Sequence, residues 1–140
     1  MLAAIPLLIL PVLAYNALAL VISDGGFRTL DAAARLGEPL FEVAMASGAR
    51  WTVSTGDMFI FTSLVVLFVE LLRSTSSRGT AVVNHSLSVL LFIGCLVEFL
   101  LFEAFATSTF FLIGCMVLLD VLAGFTVSLM GARKDVEFTS

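Results

Sequence analysis

"FIGCLVEFLLFEAFATSTFFLIGCMVLLDV", residues 92–121, decides the fold of this chain. Two apolar runs flank a short break at residues 103–107. The first carries Ile93-Gly94-Cys95 and Glu98, the second Ile113-Gly114-Cys115 and Asp120. Read outward, the first run extends back to Ala81 and the second on to Met130, giving predicted helices at Ala81–Phe102 and Ser108–Met130. A transmembrane helix needs about 20 apolar residues to cross ~30 Å of hydrocarbon at ~1.5 Å per residue, and both runs meet that length.

The rest of the chain repeats the pattern. Leu2–Ile22 reads as a first span, bent by Pro6 and Pro11. Met58–Leu72 reads as a second, shorter span with Asp57 as its N-cap, and Gly131 offers a stop after the fourth. Hydrophobic residues make up 60% of the 140 and charged ones 13%, against about 25% charged in soluble chains. Mean hydropathy is +1.12. The expected fold is an all-α membrane protein of four transmembrane helices, one domain over residues 1–140. The first run lacks the leading Lys or Arg of a secretory signal and is expected to be retained. A net charge of −4 argues against nucleic acid as a partner.

Lys and Arg set the expected orientation. Arg73 and Arg78 lie in the 73–80 loop, and Arg133 and Lys134 in the 131–140 tail. The opposite side holds Arg28, Arg35 and Arg50, offset by Asp24, Asp31, Glu38, Glu42 and Asp57. Both termini are therefore expected in the cytoplasm. The external loop, 23–57, has its own order. Thr29–Leu36 reads as a short helix, with Phe27, Leu30 and Ala34 on a face that could lie on the membrane surface. "FEVAMASGARWTVS", residues 41–54, alternates about a turn at Ala46–Ala49 and reads as a β-hairpin, with Gly48 free to take positive φ. A two-stranded hairpin is marginal alone in water, so it must pack on helix ends, lipid or another chain; it reads as a surface decoration or, with Phe41 and Trp51 as candidate residues, as a docking site.

Acids inside spans are expensive and need an account. Asp120 lies near the middle of the fourth span, Glu98 toward the outer end of the third, and Glu70 at the inner end of the second beside Arg73. Counting depth along the helices puts Thr62, Ser63 and Ser88 level with Asp120. Tyr15 and Asn16 come level with Glu98, and Asn84 and His85 near Glu70. No Lys or Arg reaches Asp120 or Glu98, so each acid, if buried, is expected to hold a proton and a hydrogen bond. Two readings follow: hydrogen bonds that fasten helices together, or a proton or cation relay centred on Asp120. Cys95 and Cys115 come out at similar depth, but without C-x-x-C or a nearby histidine they read as small packing residues rather than a metal or disulfide pair. Gly94, Cys95, Gly114, Gly124, Ser88 and Ser128 are expected where helices approach closely.

The strings "SGARWTVSTGD", "LVEFLL", "ATSTFF" and "DVLAGF", over roughly residues 38–133, resemble uncharacterised small four-span inner-membrane proteins of proteobacteria. The resemblance implies a bacterial inner membrane and a four-helix architecture, and no activity. No nucleophile with a base, phosphate loop or metal cluster is evident, so neither an enzyme nor a cofactor is expected. The expected function is a non-enzymatic accessory or scaffold subunit in the bilayer, binding another membrane protein. The alternative is a small homo-oligomeric ion or proton-coupled transporter using Asp120.

Overall fold

The computed structural model describes residues 5–22, 31–74 and 81–137. Helix α1 runs Ile9–Ile22, α2 Ala32–Leu36, α3 Thr55–Ser74, α4 Ala81–Leu101 and α5 Ser108–Glu137. Strands β1, Pro39–Ala44, and β2, Arg50–Ser54, lie between α2 and α3, and a 3₁₀ turn at Glu103–Phe105 joins α4 to α5. Three helical stretches are long and apolar enough to cross a membrane: Thr55–Arg73, Val83–Leu101 and Ser108–Met130. The fold is thus a mostly helical chain with three candidate spans and a small hairpin.

The first helix differs from expectation. It has 14 residues and begins at Ile9, and its prolines explain why. Proline lacks an N–H and is tolerated in the first turn, which is where Pro11 falls when the helix starts at Ile9. The expected bend becomes a late start, led in by turns from Ile9 N–H to the Pro6 carbonyl and from Leu10 N–H to the Leu7 carbonyl. Helix α3 begins at Thr55, and its cap is Ser54 rather than Asp57. Ser54 Oγ accepts the Asp57 N–H at 3.2 Å, while Asp57 Oδ2 accepts the Ser54 N–H at 2.9 Å. This reciprocal arrangement satisfies two groups that the helix leaves open. Gly131 does not stop α5, which continues to Glu137; one glycine costs a helix only ~1 kcal/mol, and Ala, Arg and Lys follow it. The short helix covers Ala32–Leu36 alone. Phe27 and Leu30 lie outside the described residues, and Ala34, expected beside them, is exposed.

Helix α5 packs against both α3 and α4, while α1 lies along α3 and α5. The core forms from stripes at helical spacing: Leu8, Val12, Tyr15 and Ala19 on the first segment, Phe110, Ile113 and Val117 on α5. Large apolar side chains also cover the outer faces, Phe61, Phe68, Leu90 and Phe125 among them. Helices apolar all round suit lipid better than water.

The hairpin pairs antiparallel, Phe41 opposite Val53 and Val43 opposite Trp51, around a turn in which Gly48 takes φ +85°. Residues directly opposite share a face. Phe41, Val43, Trp51 and Val53 therefore form an apolar side, and Glu42, Ala44, Arg50 and Thr52 the other, where Arg50 and Glu42 pair at 3.2 Å.

Small residues mark only some of the close approaches. A Cβ on Gly124 would sit 2.7 Å from His85 Nδ1, whereas one on Gly94 or Gly114 would meet nothing within 4 Å. Ser128 is exposed and bonds the Gly124 carbonyl of its own helix. Gly124→Val is accordingly expected to lower stability by about 1–3 kcal/mol through overpacking, and Gly114→Ala, which meets open space, to leave it unchanged or raise it by up to about 1 kcal/mol, in denaturant titrations in detergent micelles followed by circular dichroism. Equal effects at the two sites would show that His85 does not press on Gly124.

Candidate functional site

Polar groups from four segments meet inside the helices. On α3, Ser63, Leu67 and Glu70 share one inward face at helical spacing, and all three are buried. Glu70 is 1% exposed and gathers donors from three segments. Leu7 donates its backbone N–H to Oε2 at 2.9 Å, Asn84 donates Nδ2–H to Oε1 at 2.8 Å, and Arg73 reaches Oε2 at 3.5 Å from one turn along α3. The Leu7 N–H lies just before α1, where no helix partner exists for it, so the carboxylate completes a backbone that Pro6 and Pro11 leave irregular. Non-helical backbone at membrane depth persists only where protein groups satisfy it.

The same network continues up α4. Asn84 and Ser88 are four residues apart and lie on one face. Ser88 Oγ lies 3.4 Å from Asn84 Oδ1 and 2.6 Å from Asp120 Oδ2. Ser88 is 1% exposed and Asp120 5%. A serine has one hydroxyl hydrogen and here faces two acceptors, the nearer being Asp120. Ser88 thus donates to Asp120 and Asn84 to Glu70, and the contacts link α5 through α4 to α3.

A second cluster ties the opposite end. Tyr15, 1% exposed, packs edge-on against Phe59 at a ring separation of 5.8 Å and tilted against Phe110 at 4.8 Å. Its hydroxyl donates to the Ala104 carbonyl at 3.1 Å and lies 2.6 Å from Thr107 Oγ1. Thr107 in turn caps α5, its Oγ1 accepting the Phe110 N–H at 3.2 Å. Beside it Asn16 donates Nδ2–H to Glu98 Oε2 at 3.3 Å.

Depth counting therefore places Ser88 with Asp120, Asn16 with Glu98, and Asn84 with Glu70. Four others that the same count sets level with these acids do not bond them. Thr62 is exposed. Ser63 is buried but donates to the Phe59 carbonyl of its own helix at 2.7 Å. His85 joins neither acid by a hydrogen bond; it rests on Gly124, and its Nδ1 is the one buried side-chain polar atom without a partner among the described residues. Tyr15 bonds to Ala104 and Thr107, not to Glu98. Thr107 and the Leu7 N–H are the participants that sequence reasoning missed. For Thr107 a signal existed, since Thr followed by Ser-Thr-Phe before an apolar run is an N-cap pattern.

Cys95 and Cys115 are both free thiols. They line one apolar hollow of about 300 Å³ between α4 and α5, opened by the missing side chain at Gly114 and walled by Phe99, Phe110 and Phe111. Among the described residues, no three His, Cys, Asp or Glu side chains gather as a metal site.

The order of groups limits the chemistry of the network. An amide accepts on oxygen and donates from nitrogen, so a proton arriving at Asn84 Oδ1 cannot leave from Nδ2 without passing through a high-energy tautomer. The groups join the segment before α1, α3, α4 and α5 to one another. No family model, no curated protein and no solved structure matches the chain.

Proposed function

We propose that the chain is a non-enzymatic accessory or scaffold subunit of a bilayer-embedded assembly, which docks another membrane protein through its hairpin. The observation that carries this reading is the unburied apolar side of the hairpin. Val53, at its root, is 5% exposed, yet Phe41 is 51% and Trp51 55% exposed on the same side. A hairpin anchored at its base, with aromatic residues left open beyond it, suits a partner surface, since aromatics concentrate at interface cores. Its base is held in place by the Ser54–Asp57 cap and by the Thr55 N–H donated to the Glu38 carbonyl at 3.2 Å.

Four crossings fit this proposal. Helix α1 rises ~21 Å over its 14 residues. Residues 5–8, wound in turns, add ~2 Å each, together about the ~30 Å thickness of hydrocarbon. Leu7 meets Glu70 near one end of α3 and Tyr15 meets Phe59 near the other, so α1 runs beside most of that helix. With Lys and Arg setting orientation, both termini are cytoplasmic and the hairpin lies outside a bacterial inner membrane.

The direct test places a photoreactive amino acid at position 51, on the apolar side, and at position 52, on the polar side. Cross-linking to one defined membrane protein from 51 and not from 52 is expected; cross-links to lipid alone would overturn the docking reading. Asp120→Asn separates this proposal from proton-coupled transport. Asn retains a hydrogen bond to Ser88, so the mass of the native particle should be unchanged. A wild-type protein that drives proton flux in liposomes, lost in Asp120→Asn, would favour the transporter instead.

A further inference from the structure

We propose that α1 is a releasable strap clamped onto a three-helix core of α3, α4 and α5, opening without unfolding of that core. In hydrocarbon, apolar side chains gain little by leaving lipid for protein, so close packing and interhelical hydrogen bonds hold helices together. The close packing of α1 is one stripe, Leu8, Val12, Tyr15 and Ala19, while Leu10, Leu13, Leu20 and Val21 are exposed. Among the described residues, its hydrogen bonds to other elements are clamps at two levels: Leu7 to Glu70 at the start, and Tyr15 to Ala104 and Thr107 with Asn16 to Glu98 toward the end. Neither Thr107 nor Glu70 depends on α1 for its place. Thr107 caps α5, and Glu70 keeps Asn84 and Arg73.

The core helices have closures that exclude α1. Ser88 joins α4 to α5 through Asp120, and Asn84 joins α4 to α3 through Glu70. Lifting α1 away leaves these bonds intact and uncovers a slot walled by Phe59, Phe105 and Phe110, with the Ala104 carbonyl and Thr107 hydroxyl open to a new donor or acceptor. Segments of a protein open in separate cooperative units when their ties are separate.

The test is amide hydrogen exchange of the full chain in lipid nanodiscs, for wild type, Tyr15→Phe and Asn16→Leu. Amides of α1 are expected to exchange as one group, at least about tenfold faster than the slowest amides of α3 and α5. Tyr15→Phe removes interhelical hydrogen bonds of α1, and Asn16→Leu removes one together with the Asn16 bond to the Val12 carbonyl of its own helix; each should quicken α1 exchange by about three- to tenfold, leaving α3 and α5 unchanged. Exchange of α1 at the rate of α5 in wild type, or equal quickening of all helices in either variant, would overturn the strap. The docking reading concerns the apolar side of the hairpin and stands or falls on its own cross-links.

Discussion

Glu70→Ala is expected to be the most damaging single substitution in the helices, lowering stability by about 3–5 kcal/mol. Among the described residues, two of the three donors that meet at Glu70, the Leu7 N–H before α1 and the Asn84 amide on α4, have their hydrogen bond to another element there. A buried donor left unmade costs about 1–3 kcal/mol, and more in hydrocarbon, where water cannot replace the carboxylate. Truncation also opens a cavity beside Leu67. The Arg73 pair adds little, because that guanidinium is 31% exposed and partly screened by solvent. Glu70→Gln should recover about half of the loss, since one amide oxygen can still accept while its nitrogen faces donors. Denaturant titration in mixed micelles, followed by circular dichroism, reads both variants. A Glu70→Ala protein within about 0.5 kcal/mol of wild type would mean that the carboxylate does not hold this junction.

That junction also marks where the sequence stops being readable. Helices α4 and α5 were legible because their unbroken apolar runs have the length and composition of a membrane-crossing helix. Depth counting then found Ser88 with Asp120 and Asn16 with Glu98, because helical rise is constant along a run. Rotation about the axis is less constrained by an apolar exterior. With Phe and Leu on every side, Thr62 and Ser63 look alike in sequence, yet one faces out and the other turns back to its own helix. Gly114 and Gly124 are likewise indistinguishable by pattern, and only the His85 ring on one of them separates a contact from a hollow. The start of α1 depended on Pro11 finding a first turn, and the donor thereby freed at Leu7 belongs to the backbone, which leaves no residue-type signal at all. The hairpin was legible for the opposite reason: alternation and Gly48 specify it locally, without reference to the rest of the chain.

Replacing both Phe41 and Trp51 by Ala is expected to weaken capture of the partner by about 30-fold or more, while leaving the helices as stable as in wild type. The two side chains are the largest on the apolar side of the hairpin, and they flank Val43 across the strand pair. Both are more than half exposed, so truncating them removes little that the chain itself buries. Fully desolvated aromatic anchors at an interface commonly contribute 2 kcal/mol or more each, roughly 30-fold in affinity. Stability should change by less than about 0.5 kcal/mol, as for other surface substitutions, because Val53 and the Ser54–Asp57 cap still root the hairpin on α3. Arg50→Ala with Glu42→Ala, on the opposite side, serves as the control. That ion pair is solvent-exposed and worth at most about 1 kcal/mol, and its loss should leave capture within a few-fold of wild type. The readout is the affinity of purified wild-type and variant chains, in nanodiscs, for the protein cross-linked at position 51. If the polar-side pair weakens capture more than the aromatic pair does, the docking face has been assigned to the wrong side of the sheet. If neither does, the hairpin is a surface feature and the partner binds the helices.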